Sequence, residues 1–510
     1  MLAALQKFEK LLDRAFPSEW NPMYNLGALS FYLFWICSLT GVYLFVFFET
    51  SLDGAWHSVE EITHEQYWIG SIMRSLHRYT SAAMAVTVTL HLLRELTMRR
   101  FLRGRWFSWM SGVPLLWLLF ASAIGGYWLV WDERAQYIAL TTAQLFDALP
   151  IVVEPMAFGF LTDATVSDRF FSLLIFLHVG IPLALLLGMF IHIQRIRDSK
   201  SNPPKGLAIG TIASLTLLSI LNPAMSQAPA NLDRSIQTVE IDWFYLNLYP
   251  LINEWGPGVV WAILGVVTVG LFIVPLIIRT EKPQIAVVDP EFCNGCGWCY
   301  ADCPYDAIYM KDHDFRPRNQ QAVVISDRCV GCGICAGACP SATPFKNVNE
   351  AFSGIDLEEF KMTDVLKEAK ERVETKQEEG RILVVGCAHG PSVNQFEDRQ
   401  VTTETIECIG QMPPSHMDYL VRRKGVDAVL LTGCSCGNCY HRSGIEIQEQ
   451  RLVREREPHL KFADVREKIE KIWIGHGGEK EIGAKLEEIK SSLTPKSSDG
   501  DTEVDYDQAS

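Results

Sequence analysis

Positive charge is scarce in this 510-residue chain: 46 lysines and arginines stand against 60 aspartates and glutamates, a formal net charge of −14. That deficit argues against a nucleic-acid partner, which needs a basic surface. No cleavable signal peptide is expected, because residues 1–20 read as an amphipathic entry segment. A secreted disulfide scaffold is excluded by cysteine usage. Of fourteen cysteines, eight fall in two tight runs and five more lie beyond residue 386, the pattern of metal ligation in a reducing compartment. What is abundant is apolar: 48% of residues are hydrophobic, with 14 Trp and 26 Phe, so a chain of this length is expected to form several domains.

Apolar segments near 26–48, 75–97, 110–131, 170–194, 206–222 and 257–279 predict about six membrane-spanning helices, the fifth of them short. Loop charges orient them. Residues 94–105 hold Arg94, Arg99, Arg100, Arg103 and Arg105 against Glu95 alone, and the link 195–205 holds Arg195, Arg197, Lys200 and Lys205 against Asp198. Between Glu49 and Glu65 there are five acids and no Lys or Arg, and residues 132–169 hold six acids against two Arg. The positive-inside rule therefore places both termini in the cytoplasm.

Within these segments His77 and His91 are fourteen residues apart, and so are His178 and His192. Fourteen steps of about 100° nearly close four turns, so each pair shares one helix face at roughly 21 Å separation. Two such helices side by side offer facing His–His pairs at two depths, the arrangement for two six-coordinate b-type hemes. His77 and His178 are assigned to the outer heme, His91 and His192 to the inner one. The plainer reading, a histidine hydrogen-bonded in packing, does not explain two equal spacings in segments otherwise free of ionisable groups at mid-depth. Gly27 and Gly41, then Gly112 and Gly126, repeat the same spacing and predict room for a flat macrocycle. Arg74 and Arg78 flank His77 and are expected to pair heme propionates; interfacial snorkelling is the alternative.

The stretches IMRSLHRYTSAAM, GGYWLVWDE (125–133) and RFFSLLIFLH (169–178) resemble cytochrome b of the quinol:cytochrome c and plastoquinol:plastocyanin reductases. The resemblance runs over about residues 20–280 and includes the part that chloroplast-type complexes carry as a separate subunit IV. There, EIDWFYLNLYPLIN stands where the family has a Pro-Glu-Trp-Tyr motif lining the outer quinol site, and the resemblance makes Asp242 the acceptor of a quinol proton. The motif here reads Ile241, Asp242, Trp243, Phe244, and Val130 replaces the usual proline before Trp131 and Asp132. Chloroplast-type proteins attach an extra heme through a cysteine where this chain has Asn25, so no covalently attached third heme is expected. Cys37 lies deeper and reads as a packing thiol.

Beyond the membrane half come FCNGCGWCYADCP and RCVGCGICAGACP, each a CxxCxxCxxxCP run of the two-cluster bacterial ferredoxin kind. In that fold the fourth cysteine of each run serves the other run's cluster. One [4Fe–4S] cluster is assigned to Cys293, Cys296, Cys299 and Cys339, the other to Cys329, Cys332, Cys335 and Cys303; zinc is the alternative. Further on, strand-like RILVVG and AVLLTG alternate with helical stretches and predict a small doubly wound α/β domain. Its VGCAHG, IECIG and GCSCGNCYHRSG resemble the delta subunit of methyl-viologen-reducing hydrogenase, which passes electrons to the flavin subunit of heterodisulfide reductase. The resemblance implies a [2Fe–2S] cluster on Cys387, Cys408, Cys434 and Cys439, with Cys436 spare or alternative. Zinc or a redox-active dithiol stays open, and His389 and His441 are read as surface groups or as neighbours of the ligands.

The expected organisation is a di-heme cytochrome b four-helix domain at 1–200, a subunit IV-like part at 201–282, a 2[4Fe–4S] ferredoxin domain at 283–349, a helical linker at 350–380, the delta-like domain at 381–476, and a terminal helix with a disordered acidic tail at 477–510. In fold class this is an all-α transmembrane bundle followed by an α+β and an α/β domain. The expected function is a multi-pass subunit of a prokaryotic cytoplasmic membrane, its iron–sulfur domains cytoplasmic, linking quinone to a soluble flavin-containing heterodisulfide-reductase-like protein, hydrogenase or dehydrogenase. A Rieske or cytochrome c partner outside and a homodimer follow from the resemblance. An inner quinone site near His192, Arg195 and Arg197 is a further expectation, and the rival reading is an electron wire and anchor with degenerate quinone sites.

Overall fold

A computed structural model describes residues 2–66, 68–152, 155–160, 166–197, 199–234, 236, 239–242, 244–278, 284–341, 352–376 and 380–493. Trp243 and the tail beyond residue 493 lie outside the described residues. The chain divides into two compact units, Met1–Lys282 and Pro283–Ser510.

The first unit is helical. Pro22–Phe47, Arg103–Val130, Asp168–Ile193 and Pro257–Ile277 are long and apolar enough to cross a membrane. The other two expected spans are helices as well, but differ in composition or length. Gly70–Thr97, at 28 residues, carries Arg74, Arg78, Arg94 and Glu95, and Lys205–Leu221 has only 17 residues. Leu26–Phe47 packs along Gly70–Thr97, and Trp106–Val130 along Asp168–Ile193. Their shared core holds Leu33, Phe34, Met84, Leu119 and Leu185, and it also takes in Tyr245, Tyr249 and Ile252 from the C-terminal part of this unit.

A seam of hydrogen bonds joins the first helices to residues 222–245. Asp132 caps the helix Glu133–Asp147 by accepting from the Ala135 N–H (2.9 Å), and its other oxygen accepts from the Gln227 N–H (3.0 Å). The Ala230 N–H donates to Trp131 O and the Glu133 N–H to Ala228 O, at 3.0 and 2.9 Å. Trp131 takes a left-handed conformation (φ 51°), which turns the chain between two helices at this seam. Ser75 Oγ accepts from the Ala224 N–H, Arg74 donates to Ser226 Oγ, and Trp56 Nε1 donates to Gln227 O.

The second unit begins with β1 (Ala286–Val288), β2 (Ile308–Asp312), β3 (Gln320–Val324) and β4 (Ile355–Leu357). β2 and β3 pair antiparallel, and so do β1 and β4. Through β4, residues 355–357, beyond the expected boundary at 349, pair with β1, in a strand too short for alternation to reveal. The stretch expected to be a helical linker does hold a helix. Its helix, Met362–Thr375, buries Met362, Leu366, Ala369 and Val373, spaced at three and four, in the core of the following domain.

That domain is a parallel sheet in the order β6 (Val401–Ile406), β5 (Ile382–Cys387), β7 (Ala428–Gly433), β8 (Ile469–Trp473). Leu383, Val385, Val429 and Leu431 face one core, and Ile382, Val384, Ala428 and Leu430 the other, as alternate residues of a strand must. Burial on both faces explains why β5 and β7 read as continuous apolar runs. The helix Glu479–Leu493 covers the second face with Ile482, Leu486 and Ile489, so the domain extends past 476 and the terminal helix belongs to it.

Candidate functional site

In the first unit each of the four histidines faces a glycine of a neighbouring helix. A Cβ added at Gly41 would stand 2.9 Å from His77 Cε1, at Gly126 3.0 Å from His178 Cε1, at Gly112 3.1 Å from His192 Cε1, and at Gly27 3.5 Å from His91 Cε1. Each glycine therefore leaves room for the imidazole ring opposite it. Nδ1 is occupied in three rings. His77 Nδ1 lies 2.9 Å from Cys37 O, His178 Nδ1 3.0 Å from Ser122 O, and His192 Nδ1 3.1 Å from Ser111 Oγ. Such contacts orient the ring and leave Nε2 for a metal.

The rings of His77 and His178 lie with centroids 6.2 Å apart and their planes at 68°. That gap accommodates one metal atom bonded to a nitrogen of each ring at about 2 Å. Both rings, with Gly41, Gly126, Arg78 and Tyr127, line an apolar cavity of about 2060 Å³ including its mouth. The donor set, the gap and the cavity fit a heme.

Arg78 and Arg74 also have protein partners. Arg78 Nη2 lies 2.6 Å from Asp242 Oδ2, and its guanidinium stands 4.6 Å over the Tyr127 ring. Asp242 Oδ1 accepts from the Phe244 and Tyr245 N–H groups at 2.6 and 2.7 Å. Burial opposes the Asp242 charge, but the Arg78 hydrogen bond and the backbone donors outweigh it and hold the carboxyl below its ordinary value. Arg74 bonds Thr63, Glu60 and Ser226. On the other side of the expected bundle, Arg195 stacks on Phe107 at 4.3 Å.

In the second unit two cavities sort the cysteines. One is lined by Cys293, Cys296, Cys299 and Cys339, the other by Cys303, Cys329, Cys332 and Cys335. Each thus takes its fourth cysteine from the other run. Burial pushes the Cys299 thiol up to about 12 and Cys335 well above the ordinary value. Thiolates packed this closely in an apolar cavity need positive charge among them, which an iron–sulfur core provides.

The third set gathers at the ends of β5, β6 and β7. Cys439 is held well below the ordinary thiol value by hydrogen bonds from Cys408 and Cys434, and Cys434 also bonds Cys387. Cys436 is half-buried. Glu407 Oε1 stands 3.2 Å from His389 Nε2 and 3.1 Å from His441 Nε2, a carboxylate between two imidazoles that each sit two residues beyond a cysteine of this set. The Glu407 carboxylate was missed in the sequence, although its place directly before Cys408 was a signal.

Residues 11–200 match the family model of cytochrome b/b6, residues 292–343 that of the 4Fe-4S dicluster domain, and residues 390–494 that of the delta subunit of methyl-viologen-reducing hydrogenase. Cys387 lies just before the last match. Cytochrome b of Acanthamoeba castellanii is 26% identical over 302 residues, 52% of this chain and 76% of that protein. Cytochrome b of Rhodospirillum rubrum is 26% identical over 321 residues, 56% and 77% of the two. A solved hyperthermophilic respiratory Complex III aligns at 19% identity and a TM-score of 0.40, over 51% of this chain and 76% of that one.

Proposed function

From a chain that carries a cytochrome b domain, a 4Fe-4S dicluster domain and a hydrogenase-delta-like domain, we propose a membrane subunit that exchanges electrons between quinone and a cytoplasmic oxidoreductase. The observation that carries this reading is the set of donors within one chain: four histidines that each face a glycine, His77 and His178 with ring centroids 6.2 Å apart, and three groups of four cysteines. Two b hemes, two [4Fe–4S] clusters and one [2Fe–2S] cluster supply one-electron transfer when bound. His77 with His178 and His91 with His192 hold the hemes, and the cysteines hold the clusters in the sets described above. The loop charges support an outer position for His77 and His178 and a cytoplasmic one for the iron–sulfur domains. Likeness to the delta subunit supports a soluble partner that is flavin-containing and heterodisulfide-reductase-like, or a hydrogenase or dehydrogenase. A homodimer and an outer Rieske or cytochrome c partner rest on the cytochrome b likeness alone.

Asp242 is the candidate proton acceptor at an outer quinone site. To act, it must exchange its Arg78 pair for a quinol hydroxyl, because the paired carboxylate is a weak base. The same pair favours a second reading, a wire and anchor whose outer site no longer turns over. Asp242→Asn separates them. Loss of a general base lowers quinol-driven heme reduction by about a hundred-fold or more. An unchanged rate, measured by stopped-flow absorbance, removes the outer-site enzyme and leaves the wire.

A further inference from the structure

Arg451 is among the most deeply buried residues of the second unit, with 0% of its surface exposed. A buried guanidinium is costly unless it is paired and hydrogen-bonded. Nη2 lies 2.6 Å from Asp302 Oδ2 and 3.4 Å from Ile334 O, and Nη1 donates to Gly410 O at 2.8 Å. Arg456 holds the other Asp302 oxygen at 2.5 Å. Asp302 directly precedes Cys303, Ile334 lies between Cys332 and Cys335, and Gly410 is two residues past Cys408. One side chain thus touches the second cubane's binding loops and the loop of the third cysteine set. Arg451 Nε has no hydrogen-bond partner among the described residues, and neither do the amide atoms of Gln448, one turn earlier on the same helix and also fully buried.

The helix Gly444–Leu452 carries Arg451 near its C-terminal end and begins against the third set. A Cβ at Gly444 would overlap Cys408 Sγ, and the Ile445 N–H donates to Cys439. Cys408 belongs to one buried cluster with cysteines of both cubanes, and Cys332 lies close enough for its charge to act on Cys408. Gly337, between Cys335 and Cys339, leaves space for the joint: a Cβ there would stand 2.7 Å from Arg451 Nη1 and overlap Gly410 O.

We propose that Arg451 is the positioning residue of the junction between the Cys303/Cys329/Cys332/Cys335 cubane and the Cys387/Cys408/Cys434/Cys439 centre, holding the two loops at fixed separation and raising both reduction potentials with its buried positive charge. This rests on the reading of both sets as iron–sulfur sites. A reduced cluster is one charge more negative than its oxidised form, so a nearby fixed cation favours reduction. The order of centres follows: the cubane completed by Cys303 adjoins the third centre, and the one completed by Cys339 is the remote cubane.

The test is an EPR-monitored redox titration of the purified full-length protein as wild type, Arg451→Met and Arg451→Lys. In Arg451→Met the third centre and one cubane each become about ten-fold harder to reduce, a negative shift of about 59 mV for one electron, while the other cubane holds its potential. Arg451→Lys keeps the charge and recovers most of that shift. Unmoved potentials, or equal movement of all three centres, overturn the proposal. Gly337→Ala, which pushes on the guanidinium without removing it, keeps the test open if Arg451→Met fails to fold: it changes the magnetic coupling between the third centre and one cubane, and unaltered coupling overturns the fixed separation. A wild-type protein without a third paramagnetic centre refutes the [2Fe–2S] reading instead, while the selective shift of one cubane still decides the role of Arg451.

Discussion

Replacing Gly126 by leucine leaves the purified protein with one b-type heme in place of two. The helix Asp168–Ile193 lies against Trp106–Val130, and the first atom added at Gly126 already stands 3.0 Å from His178 Cε1. Three further carbons cannot be absorbed by the backbone of a packed helix pair, so the imidazole is displaced. Displaced, the His178 imidazole would no longer keep its 6.2 Å centroid separation from the His77 ring, and the two together would no longer hold a heme. His192 and Gly112 are fourteen residues away from this position on their own helices and keep their geometry. Pyridine hemochrome analysis with a redox difference spectrum therefore gives about half the wild-type heme and a single remaining transition. Gly180→Leu is the control, because a Cβ at Gly180 meets nothing within 4 Å although it sits two residues from His178. If Gly126→Leu retains both transitions, His178 is not an axial ligand.

Replacing Cys434 by serine removes the iron and sulfide of the third centre and spares both cubanes. Cys434 is bonded to both Cys387 and Cys439, so its sulfur is central to the set. Serine shortens the reach of the donor and replaces a soft thiolate with a hard oxygen that binds iron–sulfur cores poorly. Iron and acid-labile sulfide analysis beside EPR reads the change, and Cys436→Ser leaves both signals in place. Should Cys434→Ser lose zinc with no change in iron, the third set is a zinc site and the chain of redox centres ends at the ferredoxin.

The residues proposed to hold hemes and cubanes stand out in the sequence because that chemistry fixes a spacing: four turns between His77 and His91, and tight cysteine runs at 293–303 and 329–339. The crossing of Cys303 and Cys339 between cavities was legible for the same reason, once the run was read as a ferredoxin. Contacts between distant segments carry no such period. Nothing near Arg78 points 164 residues onward to Asp242. Arg451 stands in the charged run IEIQEQRLVREREPHL, four residues after the buried Ile447 and beside the buried Leu452, on the apolar stripe of its helix. Spacing along that stripe marks it as a core-facing position, but nothing local names its partners Asp302 and Gly410. β4 was missed because three residues are too few to show alternation.

The seam at Trp131 and Asp132 bears on how this protein tolerates division. Residues 222–245 are held to the first helices by backbone donors, a capped helix end and the Arg78–Asp242 pair, with Tyr245 and Tyr249 sunk in the common core. The covalent link through residues 199–204 therefore adds mainly effective concentration to an interface already complete. Expressed as two polypeptides cut in that link, the halves reassemble in the membrane and co-purify, and they do so with both heme transitions intact. Failure of the separately made halves to co-purify would show that the seam depends on continuity of the chain. On this geometry one gene or two is a matter of synthesis, and the folded protein is the same.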